Sequence, residues 1–376
     1  MSNQLESNEP STLSLSVIVP VHKDGEHFRR CLSCLAQATP PPNEVIIVED
    51  CAGKSCAGKS RAGKSRAGEN NTGGGIRQLA EVHGFRYFRN LTSKGPSGTR
   101  NLGALHARSD LLLFVDSDVT IPEDTVACVQ TAFNDNPQLA AIIGSYDDEP
   151  AADNFLSQYK NLFHHYVHQN SKETASTFWG ACGAIRCGVF RELGGFDKRY
   201  NRPAIEDIEL GTRIIRAGHQ IQLYKKLQCK HLKKWGIASL LKSDFFDRAL
   251  PWTELILNRQ TLIDDLNLRL SSRFSTAFLF ISIALFMAGF WKPESALIAL
   301  IFLTAVLALN LPLYRFFAEK RGIWFMIRVV PWHCIYFMCC GMAFGFGLIR
   351  ALFKRTVAFL GKAITGKHID LSGKMH

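Results

Sequence analysis

An apolar run that ends in two closely spaced carboxylates constrains the fold of this chain more than any other feature. Leu111–Val115 is apolar throughout, and Asp116, Ser117 and Asp118 follow it directly. The run predicts a buried strand, and an open α/β sheet binds its ligands at the carboxyl ends of its strands. Two carboxylates there suit Mg²⁺ or Mn²⁺ holding a diphosphate. A simple strand-to-turn junction is the alternative, because Asp and Ser are common turn residues.

Patterns typical of strands and helices alternate along the first half of the chain. Apolar runs predict strands, and helical spacing of apolar residues predicts helices. The strands are expected at residues 15–19, 44–48, 85–88, 111–115 and 139–144, and the helices at 26–38, 97–107 and 122–134. This alternation predicts an α/β fold with a mostly parallel, doubly wound sheet over residues 14–235. Residues 1–13 are polar, and we expect them to be disordered.

The apolar residues are concentrated after residue 273. Three stretches, at about 274–292, 295–314 and 331–349, approach the ~20 residues that cross a bilayer. The third contains three glycines, so it also suits a re-entrant or interfacial segment. A buried helical hairpin of a soluble domain is the alternative for the whole region, 274–353. Residues 236–273 predict amphipathic helices beside the membrane, and 354–376 form a basic tail.

The charge of the chain fits contact with a membrane surface. The net charge is +11, and lysines and arginines crowd the approach to the first apolar stretch. Such a face contacts anionic headgroups, although a merely solvated face gives the same pattern. No nucleic-acid partner is expected, because no aromatic platform accompanies these charges. The amino terminus carries no secretory signal, so we expect a multi-pass protein of the inner (plasma) membrane with a cytoplasmic front domain.

Residues 52–71 repeat a five-residue unit built on Ala-Gly-Lys-Ser. The repeat satisfies the P-loop pattern twice, at 53–60 and at 58–65, so a P-loop NTPase is an alternative function. A phosphate-binding loop must close onto one helix, however, and two overlapping copies cannot each do so. Small, polar, lysine-bearing repeats are typical of a flexible insertion, which is the interpretation we prefer.

Six motifs occur in an order that resembles a known enzyme family. They are Val17-Ile18-Val19-Pro20-Val21, the strand segment 44–50 that ends in Glu49-Asp50, Gly98-Thr99-Arg100-Asn101-Leu102-Gly103, the 114–118 segment, Gly194-Gly195-Phe196-Asp197 and the acidic segment 206–210. The series resembles glycosyltransferase family 2, the inverting enzymes with a GT-A fold, over roughly residues 14–250. With its apolar carboxyl-terminal region, the chain looks like the membrane-anchored bacterial members.

This resemblance implies a reaction as well as a fold. A sugar is expected to move from a nucleoside diphosphate sugar, first of all a UDP-sugar, to a lipid-linked or saccharide acceptor at the cytosolic membrane face. The anomeric configuration is expected to invert. The Gln-x-x-Arg-Trp signature of processive members does not occur in the sequence, so transfer of a single sugar is predicted. A catalytically inactive GT-A domain that acts as a membrane scaffold is a further alternative.

The resemblance also assigns donor-side residues. The expected nucleotide-binding residues are Pro20, Val21, Glu49, Asp50, Lys94, Arg100 and Asp116. Asp50 is the preferred base contact, because Glu49 is longer than the family's usual Asp. Lys94 and Arg100 would add positive charge beside the diphosphate, although Arg100 equally suits packing along its helix. Asp118 and His231 are the predicted ligands of the divalent cation; a purely structural histidine is the alternative for His231.

On the acceptor side, the resemblance points to the acidic pair Glu206 and Asp207 as catalytic residues. Asp207 is the predicted general base. Carboxylates in a first helical turn are also favoured by the helix dipole, which is the structural alternative. Trp179 and Gly180 are the predicted acceptor-binding residues, since an indole stacks on a pyranose and a glycine admits close approach. Core packing is the alternative for Trp179.

Overall fold

The computed structural model describes residues 13–52, 72–259 and 269–365. They divide into a front unit, which ends at Lys234, and a rear unit, which begins at Trp235. The five-residue repeat, the polar amino-terminal segment and the end of the basic tail lie outside the described residues. The P-loop alternative and the disordered amino terminus therefore stay predictions.

The front unit consists of a sheet and the helices that cover it. The strands are β1 (Leu15–Val21), β2 (Glu44–Asp50), β3 (Arg86–Asn90), β4 (Leu111–Val115), β5 (Val119–Thr120), β6 (Leu139–Tyr146), β7 (Thr174–Ala175), β8 (Cys182–Arg186) and β9 (Gln220–His231). The helices are α1 (Glu26–Ala36), α2 (Thr72–Val82), α3 (Pro96–His106), α4 (Thr125–Asp135), α5 (Phe155–Gln169), α6 (Cys187–Glu192) and α7 (Glu206–Arg216).

The first half of the sheet is parallel, as the alternation of strands and helices predicts. The strand order is β3-β2-β1-β4-β8-β6-β9-β5, and β1 pairs in parallel with both β2 and β4. The central strands are buried along their length because helices cover both faces. After β3 the chain returns to the other side of β1, so the strand order reverses between β1 and β4. A reversal of this kind opens a crevice at the carboxyl ends of the strands.

The second half of the sheet is mixed. Strand β8 lies antiparallel between β4 and β6, whereas β6 and β9 are parallel. The two-residue strand β5 pairs antiparallel with the end of β9. The apolar patterns did not predict β5, β7 or β8, because two of them are very short and β8 carries a glycine. The antiparallel pairing matters for the site, since it places residues 180–182 beside the end of β4.

Glu44 joins three segments at the edge of the sheet opposite the crevice. Its carboxylate accepts hydrogen bonds from Ser16 Oγ at 2.6 Å and from the Arg108 backbone N–H at 2.7 Å, and it pairs with the Arg86 guanidinium. Burial acts to raise the pKa of this carboxyl. The hydrogen bonds from Ser16, Arg108 and Arg86 outweigh burial, and the pKa is lowered.

The rear unit is helical throughout its described residues. It contains α8 (Ile237–Lys242), a π-helix (Ser243–Ala249), α9 (Leu250–Arg259), α10 (Leu270–Ala288), α11 (Pro293–Leu309), α12 (Leu311–Arg321) and α13 (Ile323–Thr365). The first three helices form one continuous run over 237–259, within the region for which amphipathic helices are predicted. Ser282 Oγ donates to the Ala299 carbonyl at 2.8 Å and joins α10 to α11.

Among the residues that the structure describes, two helices of the rear unit are long and apolar enough to cross a membrane. They are Leu270–Ala288, with a mean hydropathy of 1.6, and Ile323–Phe353, with a mean hydropathy of 1.7. The predicted stretch at 295–314 falls on α11 and α12, which are bent by 59° and would make a third span if the pair crosses as one. The stretch at 331–349 lies inside the single helix α13. The apolar helices associate this chain with a membrane.

Candidate active site

The carboxyl ends of three neighbouring strands bring most of the predicted donor-side residues to one edge. Pro20 and Val21 end β1, and Glu49 and Asp50 end β2, with Val21 registered against Glu49. Asp116 follows the last residue of β4, on the other side of β1. The sequence alone indicated that each of these strands ends in functional residues. The shared edge follows from the parallel pairing of β1 with both of its neighbours.

Glu49 and Asp50 have different surroundings. The Glu49 side chain is buried and accepts a hydrogen bond from the Tyr87 hydroxyl. The pKa of Tyr87 is raised, first by burial and then by that carboxylate. Asp50 is half-buried, and its Oδ2 accepts from the backbone N–H of Gly95 at 3.0 Å. Lys94 is exposed directly beside this contact. Asp50 Oδ1 accepts from the Ala52 N–H at 3.2 Å, and the role of Asp50 in binding the base stays a prediction.

Gly95 shapes this corner because no other residue fits it well. Its φ of +93° lies in the region that favours glycine, and an added Cβ would lie 2.5 Å from the Asn201 carbonyl carbon. Helix α3 begins at the next residue, Pro96, whose fixed φ suits a first helical turn. The loop therefore presents Lys94 and the start of α3 to the crevice.

Arg100 is a buried bridge between the donor and acceptor sides. Its Nη2 donates to Asp116 Oδ1 at 2.7 Å, and its Nη1 donates to Glu206 Oε1 at 2.8 Å. Only 4% of the residue is exposed, and its guanidinium lies over the Phe196 ring. Burial opposes its charge, but Asp116 and Glu206 together raise its pKa above the ordinary value. Neither sequence-based interpretation of Arg100, a diphosphate contact or packing along its helix, included this bridge.

Gly180 lies against this bridge and against Asp207. A Cβ on Gly180 would lie 3.1 Å from Arg100 Cζ, so the small residue leaves room for the guanidinium. The Gly180 backbone N–H donates to Asp207 Oδ2 at 3.1 Å, and the next carbonyl, of Ala181, accepts from the Asp116 N–H at 3.2 Å. The short segment before β8 thus connects both aspartates.

Glu206 and Asp207 open helix α7 but differ in their engagement. Glu206 is 4% exposed, and its second oxygen accepts from the Ala204 N–H at 2.9 Å. Both of its oxygens are therefore hydrogen-bonded, one to Arg100 and one to the loop. Asp207 is half-buried at the same helix start. The two Asp207 oxygens accept from the backbone N–H groups of Gly180 and Ile208, at 3.1 and 2.8 Å, and its role as a base stays a prediction.

Asp118 and His231 lie together, as predicted for a pair of metal ligands. Asp118 Oδ2 and His231 Nε2 are 3.4 Å apart. Strand β5 starts at the residue after Asp118 and pairs Val119 with His231, and the Leu232 N–H donates to the Asp118 carbonyl at 2.8 Å. The contact therefore follows from strand pairing across more than one hundred residues of sequence.

The two aspartates of the Asp-Ser-Asp motif differ in their ionisation. Burial raises the pKa of Asp116, with the charge of Asp118 acting in the same direction and Arg100 opposing both. Burial also acts to raise the pKa of Asp118, but its hydrogen bond with His231 and the charges of His231 and Lys233 lower it. Asp118 is consequently the more readily ionised member of the pair.

Trp179 is a member of an aromatic cluster. It is 7% exposed, and its ring lies 4.9 Å from that of Tyr146 and 4.7 Å from that of His164, measured between centroids. Tyr146 in turn stacks on His231. No local sequence pattern marks Tyr146, His164 or Asn161 as site residues, since their positions depend on contacts between α5, β6 and β9. The histidines at 164, 165 and 168 were the available signal, because their spacing gives one helix an imidazole-rich face.

A divalent cation fits Asp118 and His231 by the chemistry of the donor set. A carboxylate oxygen and an imidazole nitrogen are a combination that Mn²⁺ accepts readily. Within residues 13–52, 72–259 and 269–365, no three His, Cys, Asp or Glu side chains gather as metal ligands. The remaining coordination positions would therefore fall to diphosphate oxygens and water, which is usual for cations bound with phosphate substrates.

Comparisons with known proteins agree with this fold. Residues 68–240 match the family described as "Glycosyltransferase like family 2". A curated relative, "Pre-mycofactocin glycosyltransferase" of Mycobacterium tuberculosis strains CDC 1551 / Oshkosh and H37Rv, is 26% identical over 223 residues. That match covers 57% of this chain and 41% of the relative, so the chain spans well under half the relative's length.

A solved structure confirms the fold. It is the mannosyltransferase PcManGT from Pyrobaculum calidifontis, in complex with GDP-Man and Mn²⁺, which superposes with a TM-score of 0.51 at 14% identity. The similarity covers 89% of this chain and 88% of that one. The front unit therefore has the GT-A fold that the sequence predicts. Over residues 68–240 the chain is similar to the glycosyltransferases of family 2.

Proposed function

We propose that this protein moves a single sugar from a nucleoside diphosphate sugar to a hydroxyl of a lipid-linked or saccharide acceptor, with inversion at the anomeric carbon. A UDP-sugar is the first donor to test, and the acceptor is presented at the cytosolic face of the membrane. One observation carries the proposal. Arg100 and the segment at Gly180 join Asp116, Glu206 and Asp207 through hydrogen bonds, and Asp118 lies two residues after Asp116, beside His231.

The donor side of the crevice suits a nucleoside diphosphate. The Asp50 carboxylate and the ends of β1 and β2 line the edge where a base and ribose would bind, and Lys94 is exposed beside them. Asp118 and His231 would hold a divalent cation beside the diphosphate. When bound, such a cation acts as a Lewis acid on the leaving diphosphate. The mannosyltransferase with the same fold was solved with GDP-Man and Mn²⁺, so GDP-sugars belong in the donor panel as well.

The acceptor side requires a base, and the proposal assigns that role to Asp207. Its carboxylate takes the proton of the acceptor hydroxyl as the hydroxyl oxygen bonds to the anomeric carbon. The bond from that carbon to the diphosphate oxygen breaks on the opposite face, so the configuration inverts. Glu206 positions Arg100 instead of taking a proton, because it is buried and paired with the guanidinium. Trp179 and Gly180 would bound the acceptor position.

The membrane location limits the acceptors that reach this crevice. Two helices of the rear unit are able to cross a bilayer, so acceptors attached to a lipid, or saccharides growing at the membrane, are the natural class. Basic residues at the approach to the first span suit a cytosolic leaflet with anionic lipids. That orientation also places the front unit in the cytosol, where nucleotide sugars are made.

The test is donor binding by the full chain in detergent micelles. Thermal shifts are measured with UDP-sugars and GDP-sugars, each with and without Mn²⁺. We expect one donor class to stabilise the wild-type protein only when Mn²⁺ is present. Asp118→Ala should abolish that stabilisation. Asp207→Asn should retain it and lose transfer of labelled sugar to a membrane lipid extract, because a neutral amide takes no proton.

The matched control is Asp135→Asn, which removes an exposed carboxylate at the end of α4. It should behave like the wild type in both assays. Deletion of residues 52–69 should also leave donor binding intact, whereas a P-loop NTPase would lose it. If no nucleotide sugar stabilises the wild type, or if Asp118→Ala binds donor as well as the wild type does, the proposed function is wrong. Donor binding without transfer to any acceptor would favour the inactive scaffold.

A further inference from the structure

His231 is fixed in place by more than its contact with Asp118. Its ring is 7% exposed, and its second nitrogen, Nδ1, lies 3.1 Å from Asn161 Oδ1. Asn161 is 1% exposed and lies on α5, seventy residues before the histidine. An amide oxygen only accepts hydrogen bonds, so the Nδ1 atom donates to it. This contact requires the proton to stay on Nδ1 and directs Nε2 towards Asp118.

The plane of the ring is fixed by a second neighbour. Tyr146 stacks on His231 with 4.6 Å between ring centroids and an angle of 3° between the planes. Trp179 packs edge-on against Tyr146, at 4.9 Å and 78°. Stacking limits tilting of the imidazole, and the Asn161 contact limits its rotation. The position of Nε2 is therefore set by the packing of α5 and β6 against the end of β9.

The helix that carries Asn161 is itself fastened to the sheet. His168 Nδ1 lies 2.9 Å from the Gly144 carbonyl, and His165 Nδ1 lies 2.8 Å from the Tyr146 carbonyl. Both carbonyls belong to β6, which pairs in parallel with β9. Asn161 thus reaches His231 from a rigid support, as expected of a residue that orients a neighbouring side chain.

We propose that Asn161 is a positioning residue that keeps His231 in the form protonated at Nδ1, so that Nε2 is directed at the divalent cation it shares with Asp118. This inference rests on the proposed function, which supplies the cation. Histidines that bind metals usually donate their other N–H to an oxygen acceptor, and loss of such an acceptor weakens metal binding about 10–100-fold. The buried amide of Asn161 is the acceptor that this site provides.

The experiment measures Mn²⁺ binding by the full chain in detergent micelles, with Mn²⁺ as the sole ligand. Continuous-wave electron paramagnetic resonance counts free Mn²⁺ and gives the affinity. Pulsed measurements of the bound ion detect a directly coordinated imidazole nitrogen through its modulation of the echo. The wild type should show this nitrogen signal, and His231→Gln should lose it.

Variants of Asn161 then separate positioning from folding. Asn161→Ala should bind Mn²⁺ about 10–100-fold more weakly and with a reduced nitrogen signal. Asn161→Asp should restore the affinity to within a few-fold of the wild type, together with the signal, because a carboxylate also accepts the Nδ1 proton. Asn134→Ala, which changes an exposed asparagine on α4, is the matched control and should match the wild type.

Each result is decisive. A wild-type affinity and nitrogen signal in Asn161→Ala overturn the role of Asn161 and leave the cation site intact. If Asn161→Ala does not fold, Asn161→Asp decides alone: a lost nitrogen signal means that the amide does not act as an acceptor, and the inference is wrong. A wild-type protein that binds Mn²⁺ without a nitrogen signal removes His231 from the site but not Asp118. A wild-type protein that binds no Mn²⁺ contradicts the inference and the proposed cation together.

Discussion

Replacement of Arg100 tests whether the bridge at the centre of the crevice is real. Arg100→Met keeps much of the side-chain volume and removes the charge that Asp116 and Glu206 share. The side chains of Arg100 and Glu206 are 5% and 6% exposed, so the Glu206 carboxylate would be left buried and uncompensated. Removal of one partner from a buried ion pair costs about 3–5 kcal/mol. The lower end applies here, because the Asp116 side chain is 33% exposed and water partly replaces its partner.

A loss of about 3 kcal/mol should lower the unfolding temperature of the front unit by roughly 6–12 °C, since a domain of this size shifts by roughly 2–4 °C per kcal/mol. Differential scanning calorimetry of the full chain in detergent micelles measures the shift. Addition of Glu206→Gln to Arg100→Met should recover part of the loss, because the double variant no longer buries an unpaired charge. In an otherwise wild-type chain, Glu206→Gln alone should be destabilising.

The matched control is Arg77→Met, which breaks the exposed pair with Glu81. Those side chains are 66% and 57% exposed, and exposed pairs contribute little to stability. We expect its unfolding temperature to stay within about 2 °C of the wild type, given the small energy of such pairs. If Arg100→Met is no more destabilising than this control, the bridge does not stabilise the protein and the reasoning fails.

Two further predictions concern stability and use the same calorimetry. In Gly211→Ala, the added Cβ would lie 2.2 Å from the Phe178 backbone nitrogen, so we expect the free energy of unfolding to fall by at least about 2 kcal/mol. The control is Gly188→Ala, whose added Cβ meets open space; it should be neutral or slightly stabilising. A Gly211→Ala protein as stable as Gly188→Ala would contradict the close approach of α7. Glu44→Gln should lower the free energy of unfolding by about 1–2 kcal/mol at pH 7. Burial acts to raise the pKa of Glu44, but hydrogen bonds from Ser16 and other donors outweigh it and keep the pKa below its ordinary 4.5. A carboxyl whose pKa is lowered in the folded state stabilises that state above pH 4.5. The stability difference between the wild type and Glu44→Gln should therefore shrink as the pH falls through the folded-state pKa of Glu44. A difference that stays constant down to pH 3 would contradict this role of the Glu44 carboxylate.

Much of the fold follows from local patterns in the sequence. The apolar runs that become β1, β2, β4 and β6 are long enough to be recognised, and the alternation with helices predicts their parallel arrangement. The antiparallel strand β8 was missed because its residues give no distinct period. The bend between α11 and α12 was missed as well, since the apolar composition continues through it. A proline at the start of α12 accounts for the break.

The sequence indicates which acidic residues lie near the ends of the strands, but it does not indicate which partner each of them contacts. Asp116 and Asp118 are separated by a single residue, yet one contacts Arg100 and the other contacts His231. Glu206 and Asp207 are likewise neighbours with different partners. Adjacent side chains of a turn or a helix start point in different directions, so local sequence cannot assign their roles. The surrounding elements decide them.

The sequence by itself determined that this chain joins an α/β domain to apolar helices, and that carboxylates follow its central strands. Those properties depend on the hydrophobic pattern of each segment and on the order of the segments, and both can be read directly from the sequence. Only the tertiary structure decided that Arg100 bridges two carboxylates and that Asn161 faces His231. Each of these contacts joins residues from separate elements. Their geometry is set by how helices and strands pack, and no pattern within one segment of sequence records that.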